Sequence, residues 1–146
     1  APVAYTIAGP TAINPTMYRQ ALTVAQAEAQ RRPGNPFAWF NIGTNYARLG
    51  ETELAAGAFD EARRLGLPYR MFWYQFDIYE VYLAQGRYQE LIELTTAVLD
   101  ATSGLEELYY DRGLAYQALG EDDAARTDFE AALDYNPAFE PARAGL

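Results

Sequence analysis

From Asn35 to Pro137 the apolar residues recur three or four places apart, the period of amphipathic helices rather than of strands. Ile42, Tyr46 and Leu49 share one stripe, Ala55, Phe59 and Ala62 share another, and Gly50 lies between them. A glycine at such a break predicts a turn between two helices. The arrangement occurs three times: WFNIGTNYARLGETELAAGAFDEA from Trp39, QFDIYEVYLAQGRYQELIELTTAV from Gln75 and YYDRGLAYQALGEDDAARTDFEAA from Tyr109. Gly50, Gly86 and Gly120 are 36 and 34 residues apart, and the same offsets link Tyr46, Tyr82 and Tyr116, then Ala55, Leu91 and Ala125. Each unit therefore reads as a helical hairpin, and the chain as a repeat array.

Helix starts are marked. Asn14-Pro15 and Asn35-Pro36 each place a capping side chain before a proline suited to the first helical position, and Ser103-Gly104-Leu105-Glu106 has capping-box spacing. The two extra residues between the first two turn glycines are expected in the Leu67-Pro68-Tyr69-Arg70 junction. Gly43 and Gly113 allow close approach of the paired helix, while Ala55 and Ala125 accept large neighbours. The middle unit departs, with Tyr79 where the small residue belongs and Thr95 where the aromatic belongs.

This pattern resembles the tetratricopeptide repeat, whose period is about 34 residues. The first unit matches at Trp39, Ile42, Gly43, Tyr46, Ala55, Phe59 and Ala62, and the third at Tyr109, Gly113, Tyr116, Ala125, Phe129, Ala132 and Pro137. The resemblance implies an all-α, right-handed solenoid of helical hairpins with a short extended N-terminal leader. The organisation expected is a leader over 1–13, a half repeat of second-helix type over 14–34, a first repeat over 35–68, a degenerate second over 69–104, a third over 105–137 and a truncated start of a further one over 138–146. In the half repeat, Ala21 falls in the small-residue column. Within the leader, Val3, Tyr5 and Ile7 alternate with small residues as in an extended strand, before the Gly9-Pro10 break.

Composition narrows the function. All 11 basic residues are Arg, and the chain has no Lys, His or Cys, so thiolate or imidazole metal ligands and Cys or His catalysis are excluded. A net charge of −9 disfavours nucleic acid and anionic lipid, and no apolar run is long enough to span a membrane. The acids Glu51/Glu53, Glu106/Glu107 and Glu121/Asp122/Asp123 each fall at a predicted helix start, where the dipole favours carboxylates. The reading is therefore a protein without enzymatic activity, cofactor or metal; an enzyme working through carboxylates alone is the minor alternative. The first residue is Ala rather than Met, which fits a signal-cleaved exported protein or a fragment of a longer one. An exported or extracellular location is expected, with the cytoplasm as the alternative.

Tetratricopeptide-repeat proteins bind extended peptides along a concave face lined by first helices. The resemblance carries that groove onto Phe37, Phe40, Asn41, Thr44 and Arg48 in the first repeat, onto Trp73, Phe76, Asp77, Glu80 and Ala84 in the second, and onto Glu107, Tyr110, Asp111, Leu114 and Gln117 in the third. One subgroup clamps a terminal carboxylate with basic residues and asparagines; Phe40, Thr44, Asp77, Glu107 and Asp111 stand in those places here, so an apolar, uncharged or cationic strand is favoured instead. The partner is thus a protein or extended peptide. One expectation is self-association head to tail into a filament, with Val3, Tyr5 and Ile7 of the leader in a neighbour's groove. The other rests on a resemblance of the stretch from Asn35 through LGLPYRMFWYQFDIYEVYLAQGRY to the repeat tails of exported bacterial C39-type peptidase proteins, and makes the chain a peptide-recognition module of a larger protein.

Overall fold

The computed structural model describes residues 14–102 and 104–146, without the side chains of Trp73 and Tyr74. Val3, Tyr5, Ile7 and the Ser103 of the expected capping box lie outside the described residues. Every regular element among the described residues is an α-helix, and the chain divides after Leu67 into two compact units.

The first unit holds α1 (Pro15–Arg31), α2 (Pro36–Arg48) and α3 (Thr52–Arg64). The Asn14 side chain accepts from the Thr16 N–H at 3.1 Å, and that of Asn35 from the Phe37 N–H at 3.0 Å, so both asparagines cap as their Asn-Pro signature predicts. The turn after α2 reverses through Gly50 at φ +79°, where an L side chain would be strained. There the Glu51 N–H reaches back to the Tyr46 carbonyl at 2.9 Å and the Gly50 N–H to that of Ala47 at 3.0 Å, the paired bonds of a Schellman stop. The same closure recurs at Gly86, with Arg87 N–H to Tyr82 carbonyl, and at Gly120, with Glu121 N–H to Tyr116 carbonyl, both at 2.9 Å.

Packing within this unit depends on size complementarity. A Cβ on Gly43 would fall 2.6 Å from the Phe59 ring, so α2 and α3 approach at a distance only glycine permits. Phe59 is fully buried, with the Phe40 ring 5.4 Å away. On α1, Ala25 and Ala29 are buried with Ala38, Ile42 and Ala58, whereas Ala21, the residue in the small-residue column, is exposed. In a complete repeat that column faces the first helix of the same hairpin, and no described helix fills that place for α1.

The second unit holds α4 (Tyr69–Tyr74), α5 (Asp77–Ala84), α6 (Tyr88–Ala101), α7 (Glu106–Ala118), α8 (Asp122–Tyr135) and α9 (Glu140–Gly145). First helices begin 14 residues before Gly50 and Gly120 but 17 before Gly86, where α4 and α5 take the place of one helix. The extra length thus lies in a broken first helix, not in the Leu67–Arg70 junction as the sequence suggested. Gln75 turns extended (φ −113°, ψ 103°) at the break. The Tyr79 hydroxyl donates to the Phe72 carbonyl at 2.5 Å, supplying a hydrogen bond to a carbonyl in the last turn of α4. Tyr79 and Thr95 are both fully buried, and the Thr95 hydroxyl is satisfied by the Leu91 carbonyl of its own helix at 2.8 Å.

Helix α7 begins at Glu106 after an extended Leu105 with no side-chain cap, so Glu106 is its first residue and not the third position a capping box from Ser103 requires. A Cβ on Gly113 would lie 2.7 Å from Phe129, and one on Gly145 of α9 would lie 2.8 Å from the same ring. Arg112 makes a bidentate pair with Asp128, both contacts 2.8 Å, and donates to the Thr96 hydroxyl at 3.0 Å, tying α7 to α8 and α6.

Gly43→Ala and Gly113→Ala are each expected to destabilise the protein by about 1–3 kcal/mol through overpacking. Gly57→Ala, inside α3 with open space around its Cβ position, is expected to be neutral or to add about 0.5–1 kcal/mol. Urea titrations of the three variants check both directions; a Gly43→Ala chain as stable as the parent would refute the close-approach argument.

Candidate interaction site

In the first unit α2 presents Asn41 and Arg48 to solvent, and Phe37 is 39 % exposed. Thr44 is half-buried, its hydroxyl enclosed without a hydrogen-bond partner. Phe40 is only 4 % exposed and belongs to the core. A groove of about 470 Å³ runs between α1 and α2, lined by Ala21, Val24 and Glu28 on one side and Phe37, Asn41 and Asn45 on the other. Val24 there is 69 % exposed, a large apolar side chain with little cover.

In the second unit Phe76 and Asp77 are half-buried at the start of α5, and Glu80 is exposed one turn later. Trp73 is among the side chains outside the description. Tyr110 is half-buried, its ring 5.8 Å from Phe129 and 5.5 Å from Phe139, so it serves packing as much as surface.

Glu107 and Asp111 stand one turn apart on α7, a spacing that puts them on one face. Asp111 is 8 % exposed and has no hydrogen-bond partner among the described residues. Burial, with the charges of Glu80 and Glu107 adding to it, pushes its carboxyl up to about 8. Burial also raises the Glu107 carboxyl, whose Oε2 is enclosed and unpartnered. The nearest arginine in sequence, Arg112, is committed to Asp128. Among the described residues no cluster of three or more His, Cys, Asp or Glu has a geometry that would hold a metal ion. The other acid groups behave as helix starts: Glu53, Asp122 and Asp123 lie in first turns, and Glu51 and Glu121 at N-cap positions.

The Arg112–Asp128 pair and the burial of Asp111 were missed by sequence reasoning. A signal for the first existed, because Arg112 and Asp128 are 16 residues apart, the same offset that separates Gly43 from Phe59 and Gly113 from Phe129.

Residues 106–139 match the family model described as tetratricopeptide repeat. No curated protein matches the sequence. Among solved structures, one titled "Crystal structure of MamA" superposes with a TM-score of 0.78 at 18% identity, over 88% of this chain and 74% of that chain. "MamA 41-end from Desulfovibrio magneticus RS-1" superposes at 0.73 with 24% identity, over 82% of this chain and 67% of that one. "MamA RS-1 ArsTM double mutant" gives 0.73 and 24% over 82% and 66%. These likenesses establish the fold, all-α and of the tetratricopeptide type.

An aspartate ionises near pH 4 in an unfolded chain, whereas Asp111 does so near 8 in the fold. Between those values the folded state keeps a proton that the unfolded state has released, so this group's contribution to stability falls as pH rises. Urea midpoints are expected to drop between pH 5 and 8.5, and Asp111→Asn to flatten the profile and raise stability at pH 8.5 by about 2–4 kcal/mol.

Proposed function

We propose that this tetratricopeptide-repeat protein, whose fold is that of a protein-interaction scaffold, associates head to tail with further copies of itself. The observation that carries the reading is the complementarity of α1 with α8 and α9. Helix α1 is of second-helix type and leaves Ala21 and Val24 uncovered beside Phe37, in a groove where a first helix belongs. Helix α9 stands in the place of a first helix, with Ala142 buried and Gly145 close against Phe129. Repeat packing sets each first helix against the second helix of its own hairpin and the first helix of the next. The α9 of one copy therefore fits the groove between α1 and α2 of another.

Charge supports the same pairing. Helix α1 and its C-cap carry Arg19, Arg31 and Arg32 against a single Glu28, a basic element in a chain of net charge −9. Helix α8 carries five carboxylates against Arg126. Bringing α8 and α9 of one copy to α1 of the next joins opposite charges, and a heterologous contact that does not close on itself propagates into a filament. The leader, with Val3, Tyr5 and Ile7, then lies in the neighbour's first-helix face as an extended strand.

Electron microscopy and light scattering of the chain are expected to show assemblies that shrink when residues 1–13 are removed. Arg19→Glu with Arg31→Glu, and separately Glu130→Arg with Asp134→Arg, are each expected to give monomers, while an equimolar mixture of the two variants assembles again because its ends are complementary. A parent chain that stays monomeric at high concentration refutes self-association and favours a recognition module within a larger protein.

A further inference from the structure

The second unit holds an acidic recess whose charge is not balanced from within. Asp111 is 92 % buried, taking its 8 % exposure, and Glu107 has an enclosed carboxylate oxygen; neither has a hydrogen-bond partner among the described residues. Glu80 faces Asp111 from α5, and Glu107 does so from its own helix. The Tyr110 phenol is raised by burial and then by Asp111, which places it within reach of the same charge. Neighbouring cations are already used. Arg112 is held by Asp128 of α8 and Thr96 of α6, and Arg87 is paired with Glu90 and lies over the Tyr82 ring.

A buried carboxylate without hydrogen bonds is unfavourable unless a charge partner reaches it. In this unit the partner has to come from outside. We propose that the recess formed by Glu80, Glu107 and Asp111 is a binding site for an arginine side chain of an extended protein segment. The guanidinium supplies five donors in a planar fork, enough to satisfy the Asp111 carboxylate and the enclosed Glu107 oxygen together, with the Tyr110 ring beside it. A lysine ammonium carries the charge but not the fork, so arginine is preferred. The site lies in the second unit alone and does not depend on head-to-tail stacking.

Binding of a cation favours the ionised carboxylate, so Asp111 gives up its proton as the arginine enters. Affinity therefore rises as pH increases toward 8 and levels off above it. The test is calorimetric titration of the full chain with the blocked tripeptide acetyl-Ala-Arg-Ala-amide, and with its citrulline analogue, which keeps the shape but not the charge, at pH 6.5, 7.5 and 8.5. The arginine peptide is expected to bind about tenfold or more tightly than the citrulline peptide at pH 8.5, one good charge-assisted contact. Asp111→Asn is expected to weaken binding and abolish its pH dependence. Glu80→Gln, at an exposed position that leaves the core intact, is expected to weaken binding several-fold. Equal affinity for the two peptides, or binding unchanged in both variants, overturns the proposal. The Arg19→Glu, Arg31→Glu chain is expected to bind the arginine peptide as the parent does, so a failure of stacking and a failure of this site are separately visible.

Discussion

The hairpins of this protein are set by one contact, a phenylalanine ring against a bare backbone. Gly43 gives Phe59 its space in the first repeat and Gly113 gives Phe129 its space in the third, with a Cβ at either position falling within 2.7 Å of the ring. Because interiors are filled to crystal-like density, the missing Cβ and the large ring are a single design decision written at two positions. The rest follows from how near the helices then lie. Small residues at Ala55, Ala62, Ala125 and Ala132 are buried to 3 % exposure or less, and the column tyrosines supply the carbonyls that close the glycine turns.

The middle repeat shows what happens when the small partner becomes large. With Tyr79 in the glycine's place, a phenylalanine 16 residues later would compete for the same volume, and the residue there is Thr95. Volume is roughly conserved across the pair while its direction is reversed. The tyrosine also brings a hydroxyl into the core, which must find an acceptor. It finds one at Phe72, a carbonyl in the last turn before the first helix breaks at Gln75. Broken helix and inverted pair belong together: the break supplies a carbonyl with room for a hydroxyl, and the hydroxyl satisfies that carbonyl.

Much of this was legible in the sequence because it depends on local chemistry repeated in register. The Asn-Pro caps, the turn glycines and the close-approach glycines are each dictated by backbone geometry that few residues provide, so identity at one position reveals structure there. The break at Gln75–Phe76 was not legible, since neither residue is a helix breaker and its cause lies four residues on, in a buried tyrosine. The capping box at Ser103 was misread for a related reason: the spacing fits, but the fold starts α7 at Glu106, and a local motif yields to tertiary packing when the two disagree. The carboxylate recess was half legible. Periodicity puts Glu107 and Asp111 on one face, but only the fold brings Glu80 beside them and takes water from Asp111.

Two adjacent residues of α7 show how the fold separates structure from recognition. Successive side chains of a helix point about 100° apart, so Asp111 and Arg112 face different neighbours. Arg112 points across its hairpin to Asp128, at the offset of 16 where the first repeat pairs Ile42 with Ala58 and the second pairs Ile78 with Leu94. An ionic contact there replaces an apolar one, and it is closed: both nitrogens of the fork and both carboxylate oxygens are engaged, with side-chain exposures of 17% and 5%. Such a pair defines which helices meet but has nothing left to offer a partner. Asp111 points instead to the face shared with α5, where its neighbours Glu80 and Glu107 repel its charge. The hairpin side of the helix is electrostatically complete and the first-helix side is in deficit, so any gain from a cation is available on the recognition face alone. A fold that balanced both sides would be more stable at neutral pH and would have less to gain from binding.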